Sequence, residues 1–402
     1  MKYQRAWAEI NLAHLRHNFT AIQEHITGTA NIMAIVKADG YGHGAVPCAH
    51  ALMQANEGHK GTNVAARRAA AFGVAACEEG VALRESGITA PVLIMGFTPE
   101  PLLPLVLQNG LTQTVFTAGG AKLLAIHAAR YKKRAAIHIE VDTGMSRLGF
   151  LPTEKSVAEV LEFAENPNLR VEGIFTHFAT SDAMENSFMH TQRERFLWFL
   201  AQLEKRGLKI PMVHMANSGA LVQVLRKDGG FYDISQKKDL LRDGVRPGIL
   251  LYGHAPSAEM TGVCATLGLK PVMRLMTQVS MVKHLPAGAG ISYGHMYNTE
   301  RPSVIAVLPV GYADGYPRRL SRAGRVMVNG QFAPIAGAIC MDQCMADVTD
   351  IPDVKPGDPV VMLDTADNHI SAECLADTVG TISYEILCGI GKRVPRVYVS
   401  DT

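Results

Sequence analysis

Short apolar runs alternate with amphipathic stretches through the first two-thirds of the chain. Eight runs predict strands, at residues 32–36, 72–75, 92–95, 112–116, 136–141, 171–176, 212–215 and 248–252. Between them, segments such as 156–165 and 191–205 carry apolar residues at helical spacing. Repeated strand–helix alternation implies a parallel sheet with helices outside it. About eight strands in about 240 residues predict a closed (β/α)8 barrel of the TIM type. An open doubly wound sheet is the competing fold, but no GxGxxG follows the first strand, so the barrel is favoured.

The pattern changes after about residue 262. Runs such as 304–310, 324–328 and 358–363 are short and are separated by Gly, Pro, Asn and Asp. This spacing is typical of antiparallel β structure. We therefore predict a barrel domain over residues 1–261 and a mainly β C-terminal domain over residues 262–402. The first few residues of the chain are expected to be able to pair with the second domain.

Composition excludes several classes of function. With 39 Lys+Arg against 37 Asp+Glu, the formal net charge is +2, which provides no basic surface typical of nucleic-acid binding. No apolar run reaches the ~18 residues of a membrane span, and the N-terminal residues lack the apolar core of a secretory signal. The seven cysteines form no CxxC pair and are expected to be reduced thiols. Fifteen histidines show no HExxH spacing, so no metal site is predicted. We expect a cytoplasmic protein.

The segment NIMAIVKADGYGHG, residues 31–44, is the strongest local feature. Alternation along the strand places Met33, Ile35 and Lys37 on one face. A lysine at the mouth of a barrel would be partly desolvated, which lowers the pKa of its amine and allows it to act as a nucleophile or base. A solvated lysine at a strand end is the ordinary alternative. The glycines that follow favour a ligand site, because they allow close approach of the backbone to a ligand.

The motif VKADGYGHG is similar to the cofactor-lysine motif of alanine racemases, which are pyridoxal-phosphate enzymes of the barrel-fold class. Agreement continues in order through DTGMSRLGF, THFATSD, ANSGAL, VRPGILLYG, SYGHMY, GYADGY, CMDQCMADVTD and KRVPRVY. The resemblance therefore covers nearly the whole chain. It implies a homodimer with shared active sites that interconverts L- and D-alanine with pyridoxal 5'-phosphate and supplies D-alanine for peptidoglycan.

By this resemblance, Lys37 would hold the cofactor as a Schiff base and then act as one of two catalytic bases. Tyr293 in SYGHMY would be the other base and would come from the second domain of the partner subunit. Racemisation removes a proton from one face of Cα and delivers one to the opposite face, so two bases on opposite sides of a planar cofactor satisfy the geometry.

The resemblance also assigns the remaining contacts. Arg246 would face the pyridine nitrogen, and because arginine does not give up its proton, that nitrogen would stay unprotonated. His177 would stack on the cofactor ring. Further cofactor contacts would come from Tyr41, Arg147, Asn217, Ser218, Gly248 and Ile249. The substrate would be recognised by Arg147 and, from the partner's second domain, by Asp342 and the backbone N–H of Met341.

Two positions depart from the family pattern. Glu140 stands where many members carry a carbamylated lysine that holds the arginine equivalent to Arg147, and an inward Glu140 could orient that arginine without modification. Lys392 stands where the family commonly has a tyrosine near the phosphate and the entry channel. Lysine keeps a cation available to the phosphate. Residues 54–69 and 226–241 are interpreted as loop insertions relative to typical members.

Three alternatives follow from these departures and from the fold. A serine or broad-specificity racemase would keep the mechanism, since the change at Lys392 removes an aromatic wall. A barrel-fold decarboxylase would need an acidic residue where Arg246 stands. A non-catalytic pyridoxal-phosphate-binding barrel protein would be shorter and would lack Tyr293, Met341 and Asp342.

Overall fold

The computed structural model of the chain describes residues 4–26, 30–54, 69–225, 234–364 and 369–400. Most of the two predicted insertions, residues 55–68 and 226–233, lies outside the described residues. The chain forms two compact units. We call Arg16–Gly40 with Ala45–Leu269 the barrel unit, and Met1–Leu15 with Tyr41–Gly44 and Lys270–Thr402 the β unit. The predicted division after residue 261 stays a prediction.

Eight parallel strands close into a barrel, which confirms the predicted fold class. They are β2 (Asn31–Ile35), β3 (Ala71–Val74), β4 (Val92–Ile94), β5 (Thr112–Val115), β6 (Ala135–Val141), β7 (Leu169–Thr176), β8 (Met212–Asn217) and β9 (Gly244–Arg246). Each pairs with the next strand along the chain, and β9 pairs with β2 to close the ring. β3, β4 and β5 are buried along their whole length, as expected for parallel strands that are covered on both faces.

The eighth strand corrects the sequence interpretation. Residues 248–252, which we predicted as a strand, contain the 3-10 helix Ile249–Tyr252, and the strand is the preceding β9. Pro247 lies between them and has no N–H with which to continue a ladder. Its carbonyl still accepts from the N–H of Ile35 at 3.1 Å. The four residues of the 3-10 helix are all fully buried, and a run that is buried on every side has no periodicity to separate a strand from a helix.

One helix precedes the first barrel strand, and the others follow the barrel strands. They are α1 (Leu12–His25), α2 (Lys37–Tyr41), α3 (Ala45–Met53), α4 (Cys77–Glu85), α5 (Leu103–Gln108), α6 (Ala118–Arg130), α7 (Glu154–Ala164), α8 (Ser187–Lys205), α9 (Ser218–Leu225), α10 (Ile234–Leu241) and α11 (Thr261–Ala265). The predicted helices 156–165 and 191–205 correspond to α7 and α8. Both begin at a side-chain cap, since Thr153 accepts from the N–H of Ser156 and Asn186 from that of Met189.

The β unit is mainly β structure, as predicted. Its strands are β1 (Ala6–Asn11), β10 (Met273–Gln278), β11 (Met281–Leu285), β12 (Gly290–Ile291), β13 (Tyr297–Asn298), β14 (Ser303–Leu308), β15 (Arg325–Val328), β16 (Gln331–Pro334), β17 (Cys344–Asp347), β18 (Pro359–Asp364) and β19 (Arg396–Val399). They form a six-stranded sheet in the order β16-β15-β18-β10-β1-β19, a three-stranded sheet β11-β14-β17 and the pair β12-β13. β1 lies between β10 and β19, so the start of the chain is part of this sheet. The described part of the unit also contains the α-helices α12 (Ala372–Val379) and α13 (Ser383–Gly389).

Among the described residues, no helix has the length and apolar character needed to cross a membrane.

Candidate active site

Lys37 lies at the start of an unusual backbone turn. β2 ends at Ile35, and Lys37 is the first residue of α2. The next three residues are left-handed, with φ of 53° at Ala38, 52° at Asp39 and 64° at Gly40. Non-glycine residues adopt this conformation at a cost of about 1–2 kcal/mol each. Such strain persists only where the surroundings hold it, and it is concentrated at functional sites.

Hydrogen bonds hold this turn in place. The N–H of Ala38 donates to Glu79 Oε1 at 2.6 Å, and the N–H of Gly40 donates to the carbonyl of Val36 at 2.8 Å. Asp39 accepts from the N–H of Ala45 at 2.8 Å through Oδ1. Glu79 belongs to α4, so a neighbouring helix fixes the backbone directly beside Lys37.

Arg246 ends β9 and is fully buried in the barrel unit. Its Nη1 lies 2.7 Å from His214 Nδ1, and its Nη2 donates to the carbonyls of Thr176 at 2.8 Å and Met215 at 3.1 Å. The guanidinium carbon lies 5.1 Å from the centre of the Phe175 ring. Burial lowers the pKa of Arg246 to about 10, with Glu140 opposing and Arg147 adding to the shift. The side chain therefore remains a cation at neutral pH.

Two histidines that the sequence analysis did not single out as site residues lie behind Arg246. His214 on β8 contacts His138 on β6, with Nε2 of the first 2.9 Å from Nδ1 of the second. Burial lowers the pKa of both rings, that of His138 to about 3, and the Arg246 charge adds to the effect. A Cβ on Gly173 of β7 would collide with the His138 ring, so the glycine provides the space for it.

Glu140 lies on the same strand as His138 and is buried in the interior of the barrel unit. Burial raises the pKa of its carboxyl to about 7, even though the charges of Arg147 and Arg246 act in the opposite direction. The carboxyl thus interacts with both arginines. Its Oε2 has no hydrogen-bond partner among the described residues.

Charges from three predicted site residues act on His177. Burial lowers the pKa of this ring well below its ordinary value, and Arg246, Arg147 and Lys37 lower it further, in that order. His177 follows the end of β7, Lys37 follows β2, and Arg246 ends β9. The closed barrel brings these separate parts of the chain together at the carboxyl ends of its strands, where barrel enzymes place their active sites.

Two helix N-termini lie side by side in the barrel unit. Ser218 begins α9, and its Oγ accepts from the N–H of Gly248 at 2.9 Å, directly before the 3-10 helix that starts at Ile249. Asn217 caps α9, because its Oδ1 accepts from the N–H of Ala220 at 3.0 Å. Backbone N–H groups at helix N-termini favour phosphate. Four predicted cofactor residues, Asn217, Ser218, Gly248 and Ile249, are thus adjacent.

Apart from Arg147, which is exposed in the barrel unit, the other predicted residues belong to the β unit. Tyr41 is buried there, which raises the pKa of its hydroxyl, and the nearby Cys388 adds to the shift. Lys392 is exposed. Tyr293 is 72% exposed and Met341 is 53% exposed, and Asp342 is exposed beside it. These four exposed side chains lie on the surface of the β unit.

The turns that carry Tyr293 and Met341 are joined. Ser292 Oγ donates to the carbonyl of Ala338 at 2.6 Å and lies 3.5 Å from Cys340 Sγ. Tyr293 and Met341 are therefore displayed by one connected group of turns rather than by independent loops.

The barrel unit fits the cofactor that the resemblance implies. Arg246 Nε and His177 Nδ1 are buried and have no hydrogen-bond partner among the described residues, although such atoms are usually paired. The N–H at Arg246 Nε needs an acceptor, and an unprotonated pyridine nitrogen is such an acceptor. The N-termini at Ser218 and Ile249 suit a phosphate, and Lys37 provides an amine. These groups together match the donor set that pyridoxal phosphate requires.

Comparison with known proteins agrees with the fold. The family models "Alanine racemase, N-terminal domain" and "Alanine racemase, C-terminal domain" match residues 10–256 and 272–398. The alanine racemase of Clostridium novyi is 42% identical over 397 residues, which cover 98% of this chain and 95% of that protein. The alanine racemase of Desulfovibrio desulfuricans is 41% identical over 393 residues and covers 98% of each chain.

Solved structures give the same result. The alanine racemase of Clostridium difficile 630 superposes with a TM-score of 0.90 at 35% identity and covers 100% of this chain and 97% of its own. A second structure of that protein, in complex with cycloserine, has a TM-score of 0.88 at 33% identity and the same coverage. The alanine racemase of Bacillus anthracis with bound L-Ala-P has a TM-score of 0.84 at 34% identity. The match covers 99% of this chain and 96% of that one. The chain belongs to the alanine racemase family, whose members depend on pyridoxal phosphate.

Proposed function

We propose that this chain interconverts L-alanine and D-alanine with pyridoxal phosphate, through two bases that act on opposite faces of Cα. The observation that carries the proposal is the convergence of Lys37, Arg147 and Arg246 on His177 in the barrel unit. The family relationship and the left-handed turn that begins at Lys37 support it. The D-alanine formed would enter peptidoglycan.

The barrel residues would bind the cofactor and control its electronics. Ser218, Asn217, Gly248 and Ile249 would receive the phosphate, with Tyr41 as a further partner, and His177 would lie against the ring. When bound, pyridoxal phosphate supplies a conjugated ring that draws electron density from the substrate Cα. Arg246 remains charged, so it would keep a proton off the ring nitrogen and restrain that withdrawal, which disfavours transamination and decarboxylation.

Lys37 and Tyr293 would move the protons. Lys37 would hold the cofactor through its amine and, once substrate displaces it, would take or return the Cα proton on one face. Tyr293 would serve the other face. A base must lie within hydrogen-bond reach of the proton that it transfers. The direction of the reaction would then depend only on which of the two bases starts protonated.

Arg147 would receive the substrate carboxylate, with Glu140 as its counter-charge. The charges of Arg147, whose side chain is exposed, and of the buried Arg246 both act on the carboxyl of Glu140. In this proposal Glu140 would orient Arg147 with no modified lysine. A carboxylate that paired with this guanidinium would hold it more firmly than a neutral hydrogen-bond partner would.

We infer a homodimer in which each β unit completes the site of the partner. Tyr293 is 72% exposed in the single chain. An exposed phenol is solvated, whereas proton transfer at Cα requires a site that excludes water. Burial of Tyr293, Met341 and Asp342 against a second copy would provide that exclusion. The division of the chain into residues 1–261 and 262–402 would then separate the cofactor-binding part from the part that serves the neighbour.

Lys392 is the residue on which substrate range depends in this proposal. It would offer a cation to the phosphate in place of the family's tyrosine and would leave more room for a larger side chain. The alternative functions are therefore a serine racemase and a racemase of broad specificity.

An exchange assay between D- and L-enantiomers tests the proposal. Purified protein with added pyridoxal phosphate would be given alanine, serine, lysine and glutamate in turn, and both enantiomers and CO2 would be measured. We expect inversion of alanine at a rate above the other three. Faster inversion of serine would replace alanine as the substrate, and CO2 without inversion would indicate a decarboxylase. Absence of both reactions in a protein that binds the cofactor would contradict an enzymatic role.

A further inference from the structure

Asp314 is a buried carboxylate in the β unit, outside the set of residues considered so far. It lies in the GYADGY segment and is fully buried. Arg5 donates to it from both terminal nitrogens, and the N–H of Gly311 donates to Oδ2 at 3.0 Å. Burial alone would raise the pKa of Asp314, but the hydrogen bonds from Arg5, Gly311 and Arg393 outweigh it, so that the pKa is lowered. Asp314 is therefore an anion held on several sides.

Arg393 joins this buried carboxylate to an exposed one. Its Nε donates to Asp314 Oδ1 at 2.7 Å, and its Nη2 donates to Asp342 Oδ1 at 2.6 Å. The side chain of Asp314 is 0% exposed and that of Asp342 is 57% exposed. The planar guanidinium fixes the angle between the two bonds. Arg393 therefore links the orientation of the exposed Asp342 to the buried Asp314.

The backbone on each side of this bridge is also constrained. The N–H groups of Tyr312 and Ala313 donate to the carbonyls of Cys340 at 3.1 Å and Met341 at 3.0 Å. The loop of Asp314 thus lies directly against the turn that carries Met341 and Asp342. A Cβ at Gly311 would collide with the same two carbonyls, so this approach requires glycine.

Arg396 constrains the segment of Arg393 itself. Its Nη1 donates to the carbonyls of Gly391 and Val394, each at 2.7 Å, and its Nη2 donates to that of Ile390 at 2.6 Å. The backbone around Arg393 is therefore fixed on both sides. An exposed ion pair is usually weak because forming it costs conformational entropy. Part of that cost is already met here by the fixed backbone, so the contact to Asp342 is more stable than an isolated surface pair.

We propose that Arg393 is a positioning residue for substrate recognition, anchored by Asp314 and acting through Asp342. It orients the turn that presents the backbone N–H of Met341, and it neutralises a carboxylate that would otherwise repel the carboxylate of the incoming amino acid. This inference rests on the proposed function, because it takes Met341 and Asp342 as substrate contacts.

The charge balance explains the expected effect. Arg5 and Arg393 together neutralise Asp314 and Asp342. Removal of Arg393 leaves the Asp342 charge uncompensated at the position where the substrate carboxylate arrives. Binding of substrate then weakens, while the cofactor residues of the barrel unit are untouched. The defect should therefore appear in KM more than in kcat, and it should depend on the charge of Asp342.

The test compares Arg393→Ala, Arg393→Lys and Arg393→Ala/Asp342→Asn in the cofactor-loaded enzyme. Arg301→Ala is the matched control, because Arg301 pairs with Asp350 in the same unit and both side chains are exposed. We expect KM for alanine to rise about tenfold in Arg393→Ala, the size typical for loss of one charge-assisted hydrogen bond, with cofactor absorbance near wild type and a lower Tm, because the buried Asp314 loses one of its donors. Arg393→Lys keeps the charge but loses the planar guanidinium that binds both carboxylates. Its KM should therefore lie between those of wild type and Arg393→Ala.

The double variant separates positioning from a structural role. If the defect comes from the free Asp342 charge, KM of Arg393→Ala/Asp342→Asn should be below that of Arg393→Ala. A KM in Arg393→Ala no higher than in Arg301→Ala, or a further rise in the double variant, would overturn the inference. If Arg393→Ala fails to fold, a wild-type KM in Arg393→Lys would overturn it as well. An inactive wild type would instead contradict the proposed function.

Discussion

Arg246 donates from Nη1 to Nδ1 of His214 across 2.7 Å, and this bond sets the protonation of two buried rings. Because arginine only donates, His214 Nδ1 must accept, so its proton is on Nε2 and is donated to His138 Nδ1 at 2.9 Å. Both histidines have a lowered pKa and stay neutral near pH 7. The only cation in this chain of contacts is therefore Arg246, held with its Nε available.

Replacement of Lys37 should abolish both cofactor absorbance and activity. Lys37→Ala removes the amine that would hold the cofactor and act as one base, so we expect a colourless protein with no measurable racemisation. Absorbance in the Schiff-base region and the alanine exchange assay check this. Lys155→Ala is the control, since that side chain is exposed on α7 and pairs with Glu159 across one helical turn. A coloured, active Lys37→Ala protein would refute the assignment.

Two inactive variants should restore activity when mixed. A dimer of one Lys37→Ala chain and one Tyr293→Phe chain has one site with both defects and one site with neither. After dissociation and random reassociation of equal amounts, we expect about a quarter of wild-type activity, because half of the dimers are mixed and each has one intact site.

Each variant alone should remain inactive after the same treatment. No recovery in the mixture, although mixed dimers are detected by mass, would show that Tyr293 serves the barrel of its own chain. Substantial activity in Tyr293→Phe alone would show that the hydroxyl is not a base.

Replacement of Glu140 by glutamine should weaken substrate binding or turnover. The amide keeps the shape but loses the charge that acts on Arg147 and Arg246. We expect kcat/KM for alanine to fall about tenfold or more, as for loss of a buried charge that acts on both arginines. Steady-state kinetics with Glu140→Asp as the charge-conserving comparison measure it. Wild-type kinetics in Glu140→Gln would show that Arg147 is oriented by other groups.

The same carboxyl should produce a pH dependence of stability in protein freed of cofactor. Its pKa is raised from 4.5 to about 7 in the folded state, so between these values the folded protein binds more protons than the unfolded chain. The contribution of Glu140 to the free energy of unfolding should thus decrease as pH rises through this window and be constant above it.

Across this pH window, the full change in the contribution of Glu140 to the free energy of unfolding is on the order of 3 kcal/mol. Urea unfolding of wild type and Glu140→Gln from pH 5 to pH 8 measures it. We expect the free energy of unfolding of Glu140→Gln to increase relative to that of wild type as the pH rises. A difference that does not vary with pH would show that the carboxyl does not titrate in this range.

Gly42 should not tolerate a side chain. Its φ is +82°, and a Cβ there would collide with the carbonyl of Leu387. Gly357, in the same unit, has a φ of +95° with no atom within 4 Å of its Cβ position. Gly42→Ala and Gly357→Ala share the backbone strain, of about 1–2 kcal/mol, so the additional loss of Tm in Gly42→Ala reports the collision. Equal Tm values would show that the backbone at Leu387 adjusts freely.

Local patterns in the sequence were sufficient for the barrel and for the order of its elements. Strand and helix periods depend on residues a few positions apart, and each strand–helix repeat is formed by consecutive residues. The interpretation of residues 248–252 was wrong because a fully buried run carries no period. The nine motifs from VKADGYGHG to KRVPRVY were together sufficient for the family, since their order along the chain is itself specific.

Contacts between distant residues were decided only by the tertiary structure. His138 and His214 are separated by 76 positions, and Asp314 and Arg393 by 79. No local pattern relates such pairs. The sequence by itself determined which elements form and to which family they belong, because these follow from short-range periodicity and motif order. Which buried charges and rings neutralise one another depends on closure of the barrel and pairing of the sheets, because electrostatic energy is governed by distance in space.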